Sequence, residues 1–147
     1  MGMKLPVSGK DTEQKKRSSK NTVDKQIFIV EDEEIIRNLY KDILGNNGYE
    51  LLMSKTVKEG KSNWGDGNYD LVICDLGLPG ENGWGFIKFV RENNQSIPIV
   101  ALTGWGDMIS KEQSSKFNIQ RVVAKPVSVG QLLKLVSDLT SEEPSVS

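Results

Sequence analysis

The segment LVICD, residues 71–75, is a run of four apolar residues that ends on an aspartate. An unbroken apolar run of this length is typical of a strand that is buried on both faces of a parallel sheet. Similar runs recur along the chain: IFIV at residues 27–30, a weaker LLM at 51–53, IVAL at 99–102 and VVA at 122–124. We therefore predict five strands, of which residues 71–75 form the third.

Segments in which apolar residues recur at helical spacing separate the predicted strands. The apolar face predicted for the first helix consists of Ile35, Ile36, Leu39, Ile43 and Leu44. Three shorter or more polar helices are predicted at residues 56–64, 83–91 and 109–117. The last helix opens at Ser128, which has the spacing of a capping box with Gln131. Its predicted apolar face consists of Val129, Leu132, Leu133, Val136 and Leu139.

The alternation of strands and helices predicts the class of fold. Parallel strands joined by helices of this length require right-handed crossovers. They indicate an α/β fold in which helices cover both faces of a parallel sheet. The chain has 147 residues, close to the ordinary domain size of about 150, so we expect one domain.

Composition excludes several classes of protein and of site. No apolar run approaches the ~20 residues of a transmembrane helix, and the N-terminus lacks the apolar core of a signal peptide. We therefore expect a cytoplasmic protein without a membrane span. The chain has no histidine, which excludes histidine-based triads, the usual zinc sites and a role as a histidine phosphodonor. Its one cysteine, Cys74, cannot form an internal disulfide.

Charge is distributed unevenly along the chain. Residues 1–25 hold seven Lys and Arg against three acidic residues, a net charge of +4, whereas the rest of the chain carries −5. The segment KDTEQKKRSSKNT also lacks apolar periodicity. We predict a disordered basic leader at residues 1–24, a folded domain at 25–140 and a flexible tail at 141–147. A basic arm that binds nucleic acid or a membrane surface is the alternative for the leader.

Chemically active side chains follow four of the predicted strands. Glu31 and Asp32 follow the first strand, Asp75 ends the third, Thr103 follows the fourth and Lys125 follows the fifth. Ligands of open parallel sheets bind at the carboxyl ends of the strands, so we expect these side chains to converge there. Clustered carboxylates need a cation or a raised pKa to coexist. Mg²⁺, with Mn²⁺ as an alternative, suits such a site because it binds carboxylate and phosphate oxygens.

Each of these residues also has an ordinary structural explanation. Asp32 suits the cap of the first helix, Asp75 suits a turn, Thr103 suits a loop and Lys125 suits a solvated surface. Their agreement at the ends of four strands favours one shared site.

The same residues lie in motifs that resemble the receiver domain of two-component response regulators. These motifs are VEDE at residues 30–33, DLGLPGENG at 75–83, ALTG at 101–104 and KP at 125–126. The resemblance covers about residues 25–140. It implies the flavodoxin-like, doubly wound five-stranded sheet with strand order 2-1-3-4-5, and a cis peptide bond at Lys125–Pro126. It also implies a phosphoacceptor signalling module of a phosphorelay, which is not an enzyme beyond self-catalysed phosphorylation and dephosphorylation of Asp75.

The resemblance assigns roles to the acidic residues. Asp75 is expected to be the nucleophile that attacks a phosphohistidine on a partner histidine kinase or histidine phosphotransfer protein. Mg²⁺ is expected to be held by the Asp32 and Asp75 carboxylates and the Gly77 backbone carbonyl. Glu31, where the family more often has aspartate, is expected to act on the ion through water.

The resemblance also assigns the phosphoryl contacts and the switch region. Lys125 is expected to pair with one phosphoryl oxygen, and Thr103 to donate a hydrogen bond to another. The family's aromatic switch residue lies three positions before the lysine, where this chain has Val122. We therefore expect the response to pass through residues 103–108 and the helix after them, with Trp105 moving with Thr103, rather than through Val122.

Several alternatives stay open. No DNA-binding or catalytic output domain follows Thr140, so an unknown downstream protein is expected to supply the output. The domain is either free-standing or part of a hybrid kinase. One alternative function is a pseudo-receiver that binds partners without phosphorylation. A Mg²⁺-dependent phosphatase with an aspartyl-phosphate is less favoured, because it needs a second acid where Gly77 stands.

Overall fold

The computed structural model describes residues 25–78, 80–104 and 111–141. The predicted leader at residues 1–24, the predicted tail after Ser141 and Trp105 of the predicted switch region lie outside the described residues.

The strands of the described chain form one parallel sheet. They are β1 (Gln26–Val30), β2 (Glu50–Ser54), β3 (Leu71–Asp75), β4 (Ile99–Thr103) and β5 (Arg121–Ala124). Their order is β2-β1-β3-β4-β5, which confirms the predicted doubly wound topology. Every residue of β3 and β4 is buried, whereas the edge strands β2 and β5 are mostly exposed or half-buried. The central strands are unbroken apolar runs because both of their faces are covered.

Helices lie between the strands and after the last one. They are α1 (Glu34–Gly45), α2 (Val57–Asn63), α3 (Gly83–Asn93), α4 (Lys111–Lys116) and α5 (Val129–Thr140). Side-chain oxygens of Thr56, Asn82 and Ser128 cap α2, α3 and α5 by accepting hydrogen bonds from first-turn N–H groups. The last of these confirms the cap predicted at Ser128. No helix within the described ranges is both long and apolar enough to span a membrane.

Alternate residues of the central strands pack into two apolar cores. Phe28 and Val30 of β1 pack with α2 and α3 on one face of the sheet. Ile27 and Ile29 pack with α1 and α5 on the other face. Each such side chain, when fully buried, contributes about 1.5–3 kcal/mol of transfer free energy. The two cores hold the strands in register, and they thereby fix the residues at the carboxyl ends of the strands.

The buried face of α1 differs from the sequence prediction. Tyr40 and Leu44 are buried, whereas Ile35 is 80% exposed and Leu39 is 41% exposed. Residues four apart share one side of a helix, so Ile35 and Leu39 form one stripe and Tyr40 and Leu44 form another. The predicted apolar set spans more of the helix circumference than the sheet covers. Spacing alone therefore did not show which stripe faces the core.

The buried face of α5 also differs from the prediction at two positions. Val129, placed in the apolar face, is 50% exposed, and Leu135, left out of it, is buried. Val129 is the first residue of α5, and a helix that follows a strand begins at the carboxyl edge of the sheet. Its first residue therefore has little of the sheet beneath it. The predicted residues Leu132 and Val136 are buried.

Candidate functional site

Three carboxylates meet at the carboxyl edge of β1 and β3. Glu31 directly follows β1 and Asp75 ends β3, and these strands are neighbours that pair Val30 with Cys74. One carboxylate oxygen each from Glu31, Asp32 and Asp75 lies within 4.8 Å of the others. Glu31 and Asp75 are buried, and Asp32 is half-buried. The convergence expected of these three residues is therefore observed.

Lys125 brings a positive charge to the three carboxylates. Its Nζ atom is 2.8 Å from Asp75 Oδ2 and 3.5 Å from Glu31 Oε1. Burial alone would lower the pKa of Lys125, but the hydrogen bond to Asp75 and the charges of Glu31 and Asp75 outweigh it and raise the pKa. The ammonium therefore stays protonated. The Lys125–Pro126 peptide bond is cis, as the resemblance implied.

The Glu31 carboxylate has a strongly raised pKa. Burial raises its pKa to about 7. A hydrogen bond from the Glu33 N–H, 3.1 Å from Glu31 Oε2, and the charge of Lys125 oppose this rise, whereas Asp75 and Asp32 add to it. The Lys125 ammonium contacts Glu31 and Asp75, and Asp32 adds a third carboxylate to this largely buried space. Such an excess of negative charge suits a divalent cation.

The loop after Asp75 shows what several residues of the motif at 75–83 do. The Gly77 N–H donates to Asp75 Oδ1 at 2.9 Å, so both carboxylate oxygens of Asp75 accept hydrogen bonds, one from Gly77 and one from Lys125. Asn82 caps α3 by accepting from the Trp84 N–H. A Cβ atom at Gly83 would overlap the carbonyl oxygen of Asp75, so α3 begins against the backbone of the site.

Thr103 and Val122 lie at different places relative to the carboxylates. Thr103 is the last residue of β4 and is buried, and its carbonyl accepts a 2.8 Å hydrogen bond from the Lys125 N–H. It therefore stands at the same sheet edge as the acids. Val122 lies on the edge strand β5, where it is paired with Ala101 at the middle of β4, and it is 43% exposed.

Two residues near the site were missed in the sequence. Arg37 Nη1 donates to the carbonyl oxygens of Glu31 and Asp32 at 3.0 and 2.9 Å. Tyr40 lies on the buried face of α1, and burial, with the charge of Glu31, raises its pKa to about 12. The sequence carried a signal for Tyr40, because its four-residue spacing from Leu44 places both residues on one side of the helix. Arg37 carried no comparable signal, because its partners are backbone carbonyls.

Comparisons with known proteins agree with this geometry. The family model of the response regulator receiver domain matches residues 27–137. YcbL of Bacillus subtilis, named as an uncharacterized transcriptional regulatory protein, is 28% identical over 127 residues, which cover 82% of this chain and 56% of YcbL. The polar-differentiation response regulator DivK of Brucella ovis is 25% identical over 114 residues, which cover 76% of this chain and 93% of DivK. The chain thus spans just over half of YcbL and nearly all of DivK.

A solved structure shares the fold. The non-phosphorylated receiver domain of HemR from Leptospira biflexa has a TM-score of 0.74 and 22% identity, over 84% of this chain and 99% of that domain. The family match runs from β1 into α5 and takes in every residue of the acid and lysine cluster. The chain therefore belongs to the response regulator receiver domain family of two-component systems.

Proposed function

We propose that this receiver domain accepts a phosphoryl group on Asp75 from a phosphohistidine of a partner protein and signals by changing conformation. One observation carries the proposal: Asp75 lies 2.8 Å from the Lys125 ammonium inside a cluster of three carboxylates. The nucleophile and the positive charge that its product requires are thus already side by side.

We propose Mg²⁺, or Mn²⁺ in its place, as the cation of the site. The residues fit it because the donor set consists of oxygen atoms and because burial leaves Glu31 with a raised pKa. The Asp32 and Asp75 carboxylates and the Gly77 carbonyl would hold the ion, and Glu31 would act on it through water. When bound, the ion would neutralise negative charge on the phosphoryl group during its transfer.

The transfer itself uses Asp75, Lys125 and Thr103. An oxygen of the ionised Asp75 carboxylate attacks phosphorus, and the phosphorus–nitrogen bond to the partner's imidazole breaks as the new phosphorus–oxygen bond forms. The imidazole nitrogen keeps the electron pair of the broken bond. The Lys125 ammonium, which stays protonated, turns from Asp75 Oδ2 to a phosphoryl oxygen. Thr103 donates a hydrogen bond to another phosphoryl oxygen.

The donor must come from outside these 147 residues, because they contain no histidine. An exposed stripe on α1 supports a protein as the donor. Ile35 and Leu39 lie four residues apart on one side of α1, and Ile35 follows Glu31 by four residues. Exposed neighbouring apolar side chains are common where proteins bind each other. We therefore propose a histidine kinase or histidine phosphotransfer protein as the partner.

The test is phosphorylation by a small donor. Wild type, Asp75→Asn and the control Asp42→Asn, which changes an exposed acid of α1, are incubated with Mg²⁺ and phosphoramidate or acetyl phosphate. We expect wild type and the control to gain an acid-stable, base-labile phosphate, and Asp75→Asn to gain none while keeping its fold. The amide is isosteric with the carboxylate but a poor nucleophile.

Three results would contradict the proposal. Normal phosphorylation of Asp75→Asn would show that another residue is the acceptor. A folded wild type that takes up no phosphate from either donor in Mg²⁺ would favour a pseudo-receiver. Multiple-turnover hydrolysis of phosphomonoesters by wild type would favour the phosphatase.

A further inference from the structure

We propose that Arg37 is a positioning residue of the site, which aims the Glu31 and Asp32 carboxylates by holding the backbone between them. The inference rests on the proposed cation site. It concerns a side chain that touches none of the reacting atoms and acts through the loop between β1 and α1.

Arg37 closes this loop with two hydrogen bonds. Its Nη1 atom lies 3.0 Å from the Glu31 carbonyl oxygen and 2.9 Å from the Asp32 carbonyl oxygen. Its own N–H donates to the Glu33 carbonyl at 2.9 Å, so the residue is anchored in the first turn of α1 while its side chain folds back over the loop. A half-buried guanidinium thus fixes two consecutive peptide units, each of which carries one of the acids.

The usual means of fixing such a loop is missing at this helix. Glu33 is the N-cap of α1, and its side chain makes no capping hydrogen bond. The N–H of Glu33 itself donates to Glu31 Oε2 at 3.1 Å. The orientation of Glu31 and the conformation of the loop therefore depend on each other. Arg37 holds the carbonyl groups of the same loop.

Two roles are possible for Arg37, as a charge or as a residue that positions the loop, and they predict opposite effects of its removal on Mg²⁺ binding. As a charge, the guanidinium would compete with a cation for the acids, so its loss would tighten Mg²⁺ binding. As a positioning residue, it lowers the cost of ordering the ligands, so its loss weakens Mg²⁺ binding. Residues that orient metal ligands typically change affinity by about tenfold or more.

The experiment compares Arg37→Met, Arg37→Lys and Lys41→Met in the full chain. Lys41 is exposed one turn further along α1, so Lys41→Met removes a charge from the same helix without touching the loop. Mg²⁺ alone is titrated calorimetrically. We expect Arg37→Met to bind Mg²⁺ about tenfold more weakly than wild type, and Lys41→Met to bind as wild type or slightly more tightly. Arg37→Lys keeps the charge but replaces the rigid planar guanidinium, whose Nη1 holds both carbonyls, by an ammonium on a flexible stem, so it should lie between wild type and Arg37→Met.

A second readout needs no metal. In the metal-free protein, we expect the Glu33 amide to exchange faster with solvent in Arg37→Met than in wild type or Lys41→Met. The Leu44 amide, in the last turns of α1, should keep its protection, which separates a freed loop from a melted helix.

The outcomes separate this inference from the proposed function. If wild type binds no Mg²⁺, the proposed cation site is wrong. If wild type binds Mg²⁺ but Arg37→Met binds equally or more tightly, the positioning role is wrong. If Arg37→Met does not fold, Arg37→Lys alone tests the positioning role. A role as a charge predicts that this variant binds Mg²⁺ as wild type does, whereas a positioning role predicts weaker binding.

Discussion

Glu31 concentrates the electrostatic cost of this site in one side chain. It is fully buried, it faces Asp32 and Asp75, and the ammonium that contacts its carboxylate, Lys125, lies closer to Asp75 than to Glu31. A carboxylate in this setting holds its proton more tightly than in water, and its pKa rises to about 7. The protonation state of Glu31 therefore links the stability of the metal-free domain to pH.

We expect the metal-free domain to lose stability as the pH rises from about 5 to about 8. The unfolded chain releases the Glu31 proton near the ordinary pKa of 4.5, whereas the folded chain holds it up to about 7. In this window the folded state binds more protons, so the free energy of unfolding falls with rising pH. Glu31→Gln removes the effect, so wild type should lose roughly 2–3 kcal/mol more than this variant across the window. Urea unfolding at several pH values measures the difference.

The control for this prediction is Glu92→Gln, which neutralises an exposed acid of α3. It should keep the wild-type pH profile. Saturating Mg²⁺ should flatten the wild-type profile, because a nearby cation favours the ionised carboxylate. Parallel pH profiles of wild type and Glu31→Gln would contradict the raised pKa.

At the level of single residues, the sequence predicts contacts between side chains better than contacts of a side chain with the backbone. Glu31, Asp75 and Lys125 converge as expected because parallel strands bring their carboxyl ends to one edge. Arg37 was missed because its acceptors, two carbonyl oxygens, occur at every residue and leave no pattern.

Among the elements, α4 contains no apolar residue, and within the described residues it is tied to α3 at its carboxyl end. Arg91, in the last turn of α3, donates from Nε to the Phe117 carbonyl at 2.6 Å and from Nη2 to the Asn118 carbonyl at 3.0 Å. The Trp84 and Phe117 rings lie 5.7 Å apart between centroids. One arginine thus fixes the turn that ends α4, where Asn118 has a positive φ of 52°.

We expect Arg91→Met to loosen the carboxyl end of α4. The variant loses both hydrogen bonds to this turn, so the Asn118 and Ile119 amides, which donate to carbonyls of α4, should exchange about tenfold faster. Lys88→Met, which changes an exposed residue of α3, is the control and should leave both rates unchanged. Residue-resolved amide exchange measures them. Unchanged exchange in Arg91→Met would mean that the ring contact alone holds the turn.

The elements also show which parts of the fold the sequence predicts. β1, β3 and β4 were identified as unbroken apolar runs because two covered faces leave no room for polar residues. Helix faces were predicted less well, since Ile35 and Val129 are apolar but exposed at the first turns of α1 and α5. Apolar periodicity shows that a helix has a buried side. Apolar periodicity does not show which end of the helix extends past the sheet, because the tertiary arrangement decides this.

Across the whole molecule, the sheet edge connects Asp75, the proposed phosphoacceptor, to Thr103 at the end of β4. Lys125 contacts Asp75 through its side chain and Thr103 through its backbone N–H, so the ends of β3, β4 and β5 meet at one lysine. The chain continues from Thr103 through Gly104 towards α4, which Arg91 ties to α3. Within the described residues, a change at Asp75 thus has a contact route through Lys125 to Thr103, and residues 105–110, which join Gly104 to α4, lie outside them. The predicted role of Trp105 on this route lies outside the described residues and stays a prediction.

We expect a phosphoryl mimic to be sensed along this route rather than at Val122. Beryllium fluoride with Mg²⁺ should change amide protection at Thr103, Gly104 and residues 111–117, because Thr103 moves towards the new group and the short α4 opens at low free energy. Val122 is β-branched and already exposed on an edge strand, so it has few rotamers and little surface to exchange. Val122→Ala should therefore keep the response within about twofold, as surface substitutions usually do. Protection changes confined to Val122 and α5, with Gly104 and residues 111–117 unaltered, would contradict this route. Asp75→Asn, which lacks the acceptor, should show no response at either place.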